Sequence, residues 1–353
     1  MFHKPGEATE MKLTTVGIDV AKNVMQVHGV DERGKAVLKK QLKRNQVLAF
    51  FGNSEPCLIG MEACGGAHYW ARKLEKLGHT VKLMAPQFVK PYVKTNKSDA
   101  ADAEAICEAV GRPTMRFVPI KTGEQQAVLS LHRARQSFVK ARTAQANQIR
   151  GLLCEYGIVI AQGIGHIAKR LPEILEDGEH DLPGQFRVLL QRLGEHLKEL
   201  DRQACELELQ IQLWHKENEA SRKLAAIPGI GPITASALVA SIGDARDFEN
   251  GRQLAAWLGL IPRQHSTGGK PTLLGISKRG DTYLRTLLIH GARAVTRVAE
   301  RKAGHAESWL ARLMARRNKN VAAVALANKN ARIVWALLAQ ARTYRANYKA
   351  IAA

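Results

Sequence analysis

Four carboxylates in three separate segments are the residues of this sequence best suited to chemistry. Asp19 lies in the segment GIDVAK, Glu62 follows the apolar run LIGM, and Asp99 and Asp102 are one helical turn apart in NKSDAADAEAI. Each alone is explained as a strand-end acid or as an acid at a helix N-terminus. Gathered at one point, they would repel each other unless they held divalent cations such as Mg²⁺, which prefers oxygen ligands. Because two such ions can stabilise both oxygens of a phosphoryl transfer, the set predicts metal-dependent phosphodiester chemistry.

A polar segment in the C-terminal half offers a second reactive group. Ser266 and Thr267 precede a Gly-Gly pair and are accompanied by Arg263, His265 and Lys270. A hydroxyl in this setting could attack a phosphodiester while the cations stabilise the developing negative charge. The alternative is a loop that only contacts phosphates. The sequence predicts a polar loop over residues 263–270 and leaves both roles open.

The positive charge is concentrated at one end of the chain. The formal net charge is +21, and residues 251–353 contain 19 Lys and Arg against three acids. Such a stretch is typical of a protein that binds a polyanion with salt-dependent affinity. A solvated basic face or a membrane-surface helix is the alternative. Basic residues interleaved with core-type apolar residues favour nucleic acid.

Six side chains are candidates for contact with nucleic-acid phosphates. They are Arg263, Lys270, Lys278, Arg279, Arg285 and Lys97. Lys278, Arg279 and Arg285 border the hydroxyl segment and begin a basic helix, although a solvated helix end would look the same. Lys97, with its neighbour Asn96, lies beside the acidic pair, where a simple capping loop is equally possible.

The segment Pro228-Gly-Ile-Gly231 separates two helical runs in the pattern of a helix-hairpin-helix motif. Glycines there allow backbone N–H groups to approach a phosphate at the N-terminus of the following helix. A tight helical turn with packing glycines is an equally good interpretation. The motif therefore adds a second possible contact with nucleic acid without establishing it.

Apolar periodicity and turn residues indicate which elements position these groups. Strands are predicted over 13–20, 23–30, 35–43, 57–61 and 80–84, with a hairpin turn over 31–34. Helices are predicted over 45–51 and 66–77, and from an N-cap at Ser98 to about Val110, which places Asp99 and Asp102 on the first turns. Three strands followed by alternating helices and strands favour an α/β domain built on a mixed sheet.

The remainder of the sequence is predicted to be mostly helical. Long helices are expected over 122–156 and 185–216, with a Gly/Pro-punctuated turn region at 163–184 between them. They could form a coiled coil that joins two subunits, or an intramolecular hairpin. Further helices are expected over 251–258, from Asp281, and through the tail 307–348.

Length and composition limit the class of protein. A chain of 353 residues suggests two or three domains. No apolar run reaches the length of a membrane span and the N-terminal residues lack a signal-peptide core, so a cytoplasmic protein is expected. The five cysteines form no CxxC pair, which argues against a zinc site or a disulfide framework.

Taken together, GIDVAK, GMEACGG, KSDAADA, IPGIGPITA and RQHSTGGK with GISKRGD closely resemble the DEDD transposases of insertion-sequence family 110, particularly its 1111 subgroup. The resemblance runs from about residue 13 to residue 339, with the motifs in the family's order. It implies a RuvC-like domain of the RNase H fold over 1–120, a helical coiled-coil region over 121–220, and a C-terminal transposase domain over 221–353. The four acids then correspond to Asp19, Glu62, Asp99 and Asp102, as ligands of Mg²⁺, with two ions for which Mn²⁺ can substitute.

The resemblance also implies partners and a second half of the reaction. Family members are bacterial enzymes of the nucleoid in which a guide RNA encoded by the element pairs with double-stranded target and donor DNA. A serine attacks DNA to form a 5′-phosphoserine link, and dimers or tetramers supply the acids and the serine from different subunits. The family often has Ser-Ser-Gly where this chain has Ser266-Thr267-Gly. We favour Ser266 as nucleophile because a primary hydroxyl is less hindered, with Thr267 as the alternative.

Two other functions remain consistent with the residues alone. A junction resolvase or metal-only nuclease would use the same acids with water as the nucleophile. A binding protein of the helix-hairpin-helix type would use the acids only structurally.

Overall fold

The computed structural model describes residues 12–94, 98–299 and 308–345. The chain divides into two units, residues 1–123 and 124–353, and each is described by itself. The expected division at residue 220 falls inside the second unit.

A six-stranded mixed sheet forms the centre of the first unit. Its strands are β1 (Thr15–Val20), β2 (Val24–Val30), β3 (Ala36–Lys43), β4 (Leu58–Glu62), β5 (Thr80–Met84) and β6 (Phe117–Val118). They lie in the order β3-β2-β1-β4-β5-β6. The first three strands are antiparallel, β4 and β5 continue parallel to β1, and β6 closes the edge antiparallel to β5. This mixed α/β arrangement confirms the predicted class and is consistent with an RNase H-like fold.

The turn between β2 and β3 follows from local chemistry. The Asp31 carboxylate accepts hydrogen bonds from the backbone N–H groups of Arg33 and Lys35, each at 2.9 Å. Gly34 adopts φ 76°, a left-handed conformation that glycine enters without a Cβ clash. The hairpin turn predicted at 31–34 is therefore confirmed.

Helices cover both faces of this sheet. They are α1 (Val47–Gly52), α2 (Ala67–Glu75), α3 (Pro86–Val89) and α4 (Asp99–Val110). The alternating side chains of β1 and β4 divide between two cores, so that Ile18 and Ile59 pack with α1 and α2. Leu58 faces the opposite way and packs with α3 and α4. Strand periodicity thus decides which residues can reach α4.

In the part of the second unit that the structure describes, the regular elements are helices and one hairpin. Its elements are α5 (Gly123–Cys154), α6 (Ile164–Glu176), α7 (Gly184–Glu217), α8 (Glu219–Ala225), α9 (Pro232–Ile242), α10 (Gly251–Trp257), β7 (Pro262–Thr267), β8 (Lys270–Ile276), α11 (Thr282–Ala299), α12 (Trp309–Met314) and α13 (Lys319–Ala339). Gly123, where α5 begins, is the last residue of the first unit. The tail, expected to be helical, contains two helices, α12 and α13. The ends of that expected stretch, residues 307 and 346–348, lie outside the described residues.

The two long helices pack against each other within one chain. Arg135 of α5 pairs with Glu208 of α7, with a guanidinium N to carboxylate O distance of 2.6 Å. Arg142, which lies further along α5, pairs with Asp201, which lies earlier in α7 than Glu208. The helices are therefore antiparallel and form a hairpin within the chain.

The region between these helices was predicted as a turn, and that prediction is wrong. Residues Ile164–Glu176 form α6, in which Ile167 and Leu171 are buried against α5 and α7. Pro172 lies inside this helix. Proline and the flanking glycines are typical of a turn, but burial of one apolar helical face offsets the hydrogen bond that proline cannot donate.

The core of the C-terminal part is formed by α8 to α11 and α13. One helix, α13, is long and apolar enough to cross a membrane by length and composition, a point that the sequence reading missed. Its Ala323, Ala327 and Val334 are fully buried in this core. The central helix of a globular domain has the same composition, so α13 is weak evidence for a membrane span.

Candidate active site

Two glycines allow α4 to lie directly on the sheet. A Cβ added to Gly17 of β1 would lie 2.2 Å from the backbone oxygen of Ala103, and one added to Gly60 of β4 would lie 2.7 Å from the Cβ of Val110. Real Cβ atoms do not approach other atoms so closely, so any side chain at either position would push α4 away. The glycines therefore set the distance between α4 and the carboxyl ends of β1 and β4.

The acids follow these glycines at a fixed spacing. Asp19 is two residues beyond Gly17, and Glu62 is two residues beyond Gly60, so both acids share the sheet face that carries α4. Gly17 and Gly60 are also direct partners across the parallel ladder. As a result, Asp19 and Glu62 end neighbouring strands at the same edge and on the same face.

Three of the four predicted carboxylates come together at this edge. Asp19, Asp99 and Asp102 each place a carboxylate oxygen within 4.8 Å of the others. Asp19 and Asp102 are half-buried, and Asp99 is exposed. Glu62 lies outside this 4.8 Å group, although it follows the Ile18–Met61 register pair at the end of β4.

The first turn of α4 supplies two of the acids. Ser98 accepts a hydrogen bond from the backbone N–H of Ala101 at 3.2 Å, which confirms the predicted N-cap. Asp99 and Asp102, at i and i+3, share a helix face and lie at the positive end of the helix dipole. The helix dipole offsets part of the repulsion between the carboxylates, but the cluster as a whole is still negatively charged.

The donor set fits a divalent metal ion. All of the clustered ligand atoms are carboxylate oxygens, which suit Mg²⁺, Mn²⁺ or Ca²⁺ better than a thiophilic ion. Partial exposure leaves room for water and a phosphate oxygen as further ligands. The arrangement can therefore hold a metal against a scissile phosphate.

Cys64 belongs to the same electrostatic environment, and the sequence reading did not single it out. Burial, followed by the charges of Glu62 and Asp19, raises the pKa of its thiol. Its Sγ lies 3.8 Å from the backbone oxygen of Val20, beside the end of β1. The thiol therefore stays protonated next to the acids. Its position two residues after Glu62 was the only available signal.

The hydroxyl segment is a β-hairpin, not the loop that the sequence predicted. Strands β7 and β8 pair antiparallel, with Thr267 opposite Lys270 across the Gly268-Gly269 turn. The two glycines have φ 57° and 76°, as a two-residue hairpin turn requires. The Gly-Gly pair therefore forms the tight turn of this hairpin.

The hairpin separates Ser266 from Thr267. Successive side chains of a strand point to opposite faces, so Ser266 shares a face with Gln264 and Thr267 shares the other with His265. The Gln264 side-chain amide donates to Ser266 Oγ at 2.8 Å. Every residue of β7 is exposed. Both hydroxyls can therefore meet an external substrate, but from different sides.

The predicted phosphate contacts divide into exposed and buried residues. Arg263, Lys270, Lys278 and Arg279 are exposed, whereas Lys97 lies outside the described residues. Arg285 contradicts the expectation, because its side chain is buried and donates to the backbone oxygen of Leu258 at 3.2 Å. It therefore stabilises the segment before α11 instead of facing a phosphate.

The glycines of the segment 228–231 have separate surroundings. A Cβ at Gly229, which has φ 89°, would lie 2.8 Å from the backbone oxygen of Gly291 in α11. Gly229 therefore serves close helix packing. Gly231, at the N-terminus of α9, has no described neighbour within 4 Å of such a Cβ.

The chain is similar to known proteins over most of its length. A family profile for DEDD transposases of the IS110 type matches residues 16–158, and the profile of the transposase IS116/IS110/IS902 family matches residues 221–306. The chain is 56% identical to a probable family 20 transposase of Pseudomonas aeruginosa, covering 95% of this chain and 99% of the relative. It is 46% identical to the transposase for insertion sequence element IS1111A of Coxiella burnetii, covering 94% and 91%. It is 44% identical to the transposase for IS1328 of Yersinia enterocolitica, covering 94% and 98%.

Proposed function

We propose that this chain, which belongs to the IS110 family of DEDD transposases and so cuts and rejoins DNA at a divalent-metal site, works through a covalent protein–DNA intermediate. We propose also that an RNA directs the enzyme to its DNA sites. The observation that carries this proposal is the gathering of three carboxylates within 4.8 Å at the end of β1. The exposed hairpin with two hydroxyls supplies the second group that such an intermediate needs.

The acidic residues have the metal-holding role in this proposal. Asp19, Asp99 and Asp102 would hold Mg²⁺, with Glu62 completing the set from the end of β4. The ion would supply positive charge to offset the charge that develops on the scissile phosphate and the departing oxygen. The short approach of α4 fixes the positions of the carboxylates before substrate arrives, which reduces the reorganisation needed during reaction.

The hydroxyl has the nucleophilic role. The Ser266 oxygen attacks the scissile phosphorus and loses its proton to solvent. The phosphorus–oxygen bond to the 3′-oxygen breaks, and that oxygen leaves as a hydroxyl after taking a proton. A 3′-hydroxyl from the exchanged strand then attacks the phosphoserine and returns the serine to its free form. Energy of the phosphodiester is kept throughout, so the cycle needs no nucleotide cofactor.

Thr267 remains the alternative nucleophile, and the two hydroxyls have different neighbours in the hairpin. The Ser266 oxygen accepts from Gln264, which orients it without taking its proton. Thr267 lies on the face that carries His265 and, across the turn, Lys270. We keep Ser266 as the nucleophile because its hydroxyl is unbranched and held in place.

Further parts of the proposal follow from family membership. We propose that a guide RNA encoded by the element selects target and donor DNA, and that the active assembly is a dimer or tetramer in the nucleoid. The domain limits 1–120, 121–220 and 221–353, a coiled-coil role for α5 and α7, and a phosphate role for the 228–231 segment belong to the same proposal.

One experiment separates this function from its two rivals. Purified protein is incubated with Mg²⁺, guide RNA and a nicked donor duplex that traps covalent species, and protein–DNA adducts are resolved on a denaturing gel. We expect an adduct from the wild type and from Thr267→Ala, and none from Ser266→Ala or Asp19→Ala. An adduct from Ser266→Ala but not from Thr267→Ala would assign the role to Thr267.

The rivals predict different results in the same experiment. Cleavage without an adduct in the wild type, unchanged in both hydroxyl variants, would identify a metal-only nuclease or resolvase. Identical nucleic-acid activity in the wild type and Asp19→Ala would identify a binding protein. Omitting the guide RNA tests guidance alone, and cleavage of the same site without it would contradict that part.

A further inference from the structure

A basic groove lined by aromatic side chains lies on the first unit, on the face of the sheet opposite α4. The groove has a volume of about 580 Å³ and is open to solvent. We call it the aromatic groove and define it by Asn23, Lys43, Arg44, Asn45, Tyr69 and Trp70. None of the residues that line it is acidic. Its chemistry therefore differs from that of the carboxylate cluster.

Arginine and aromatic rings are stacked within this groove. The guanidinium carbon of Arg44 lies 4.9 Å from the ring centroid of Trp70 and 5.9 Å from that of Tyr69. Tyr69 and Trp70 meet edge to face with centroids 5.2 Å apart. Tyr69 is 41% exposed, so part of its side chain is open to solvent beside Arg44. These planar groups form a platform on which another planar group can stack.

The positive charges around the groove indicate an anionic ligand. Lys73 places its ammonium 5.8 Å from the Tyr69 ring, which adds a third positive charge to those of Lys43 and Arg44. Trp70 is only 3% exposed, so its ring supports the Arg44 guanidinium from the core side and leaves Arg44 and Tyr69 as the surface that a ligand meets.

The groove lies at the functional end of the sheet. Asn23 is in the turn that follows β1, four residues after Asp19, and its backbone oxygen accepts from the Arg44 N–H at 3.0 Å. Lys43 is the last residue of β3 and pairs with Val24 at the start of β2. The groove therefore lies at the edge of the sheet where β1 and β4 have their carboxyl ends. Helix α2, which carries Tyr69 and Trp70, forms its other wall.

We propose that the aromatic groove binds unpaired nucleotides of a nucleic-acid strand next to the acidic site. Bases stack on Tyr69 and Arg44, while Lys43 and Lys73 contact the phosphates, which is how sequence-tolerant single-strand sites are built. Asn23 and Asn45 offer amide groups to base edges. An acidic peptide would fit the charge but would leave the stacking surface unused. This inference rests on the nucleic-acid chemistry proposed for the chain.

The location of binding can be read directly by photocrosslinking. The full-length protein is mixed with single strands of about twelve nucleotides, one arm of DNA carrying 5-bromouracil and one of RNA carrying 4-thiouracil. After irradiation, crosslinked peptides are identified by mass spectrometry. We expect crosslinks at Tyr69 in at least one arm, and the arm that gives them identifies the strand as DNA or RNA.

Variants then test the platform. We expect Arg44→Ala and Tyr69→Ala to reduce groove crosslinking about tenfold, since stacking contributes on the order of a tenfold affinity or more for each base. Tyr69→Phe keeps the ring and should retain most of it. The matched control is Lys35→Ala, which removes a charge from an exposed position on the β2–β3 turn, away from the groove. It should crosslink like the wild type.

Two results would contradict binding of a strand in the aromatic groove. Crosslinks confined to residues 251–345, or groove crosslinks unchanged by Arg44→Ala and Tyr69→Ala, would show that the groove does not hold the strand. The adduct assay with Asp19→Ala is run in parallel. If Asp19→Ala abolishes adducts while the groove fails its test, the transposase chemistry stands and only this inference is wrong.

Discussion

Gly17 and Gly60 are direct partners in the parallel β1–β4 ladder, and both lie beneath α4 with no space for a side chain. Each precedes an acid by two residues, so the pair that brings the helix close also directs Asp19 and Glu62 toward it. The packing of α4 and the positions of the two carboxylates are therefore linked through two residues that have no side chain.

The first prediction concerns this close packing. We expect Gly17→Ala to displace α4, because the new Cβ would lie 2.2 Å from the backbone oxygen of Ala103, which cannot move alone. Overpacking of this kind costs about 1–3 kcal/mol of stability, measured by denaturant unfolding, and metal affinity should fall with it. The control is Gly111→Ala at the end of α4, where nothing lies within 4 Å. Equal metal affinity in both variants would contradict the link.

The second prediction concerns repulsion within the acidic cluster. Asp102→Asn removes one of three clustered charges. Without metal, the variant should therefore melt at a higher temperature than the wild type. Saturating Mg²⁺ should raise the melting temperature of the wild type, since a ligand at about a hundred times its Kd adds about 2.7 kcal/mol, but should scarcely affect the variant.

The control for that experiment lies one to two turns further along α4. Glu108 forms salt bridges with Lys94 and Arg112 at nitrogen–oxygen distances of 2.9 Å and 2.5 Å. Glu108→Gln should leave the Mg²⁺ response of the wild type intact. A Mg²⁺ response that survives Asp102→Asn would refute the assignment of Asp102 as a ligand.

The third prediction separates two neighbouring arginines. Arg285 is buried and bonds to backbone oxygens, whereas Arg279 is exposed. Arg285→Ala should lower the free energy of unfolding by about 1–3 kcal/mol, because it leaves buried acceptors unsatisfied. Arg279→Ala should leave stability unchanged and weaken DNA binding with a salt slope reduced by about one. Fluorescence anisotropy at several salt concentrations measures the slope, and the reverse pattern would contradict both placements.

A buried polar network underlies the fourth prediction. His132 of α5 is 1% exposed, and its ring nitrogens lie 3.0 Å from the Tyr283 hydroxyl and 3.1 Å from Ser236 Oγ. Ser236 donates its own hydrogen to the Pro232 oxygen at 2.7 Å, so it must accept from His132 Nε2–H. Nδ1 is then the acceptor from Tyr283. This network joins α5, α9 and α11 only while the imidazole is neutral.

Burial, with a smaller effect from the charge of Arg135, lowers the pKa of His132 to about 4. The unfolded chain, with an ordinary histidine pKa near 6.5, binds this proton first as the pH falls. The stabilisation is therefore complete above about pH 6.5 and decreases by up to about 1.4 kcal/mol per pH unit toward pH 4. His132→Gln should flatten that part of the stability profile, measured by urea unfolding, whereas His166→Gln at an exposed position should not. Parallel profiles for His132→Gln and the wild type would contradict the prediction.

Much of the fold follows from short-range features that the sequence displays. Alternating apolar residues predicted the five main strands, Asp31 and Gly34 predicted their first turn, and Ser98 predicted where α4 begins. These signals depend on residues within one turn or one strand, and local sterics and hydrogen bonds are sufficient to produce them.

The failures also have a common cause. Pro172 and the flanking glycines predicted a turn where burial produced α6. Residues 263–270 were predicted as a polar loop, but strand pairing made them a hairpin. Arg285 was predicted to contact phosphates, but it is buried and donates to the backbone oxygen of Leu258. In each case, partners distant in sequence decided the outcome.

The sequence by itself therefore determined which residue types are present, where most elements begin and end, and which family the motifs resemble. Only the tertiary structure decided that Asp19, Asp99 and Asp102 meet within 4.8 Å, and that Ser266 and Thr267 face opposite ways. The physical reason is that strand register and helix packing join residues about eighty positions apart, and nothing within one segment records its distant partner.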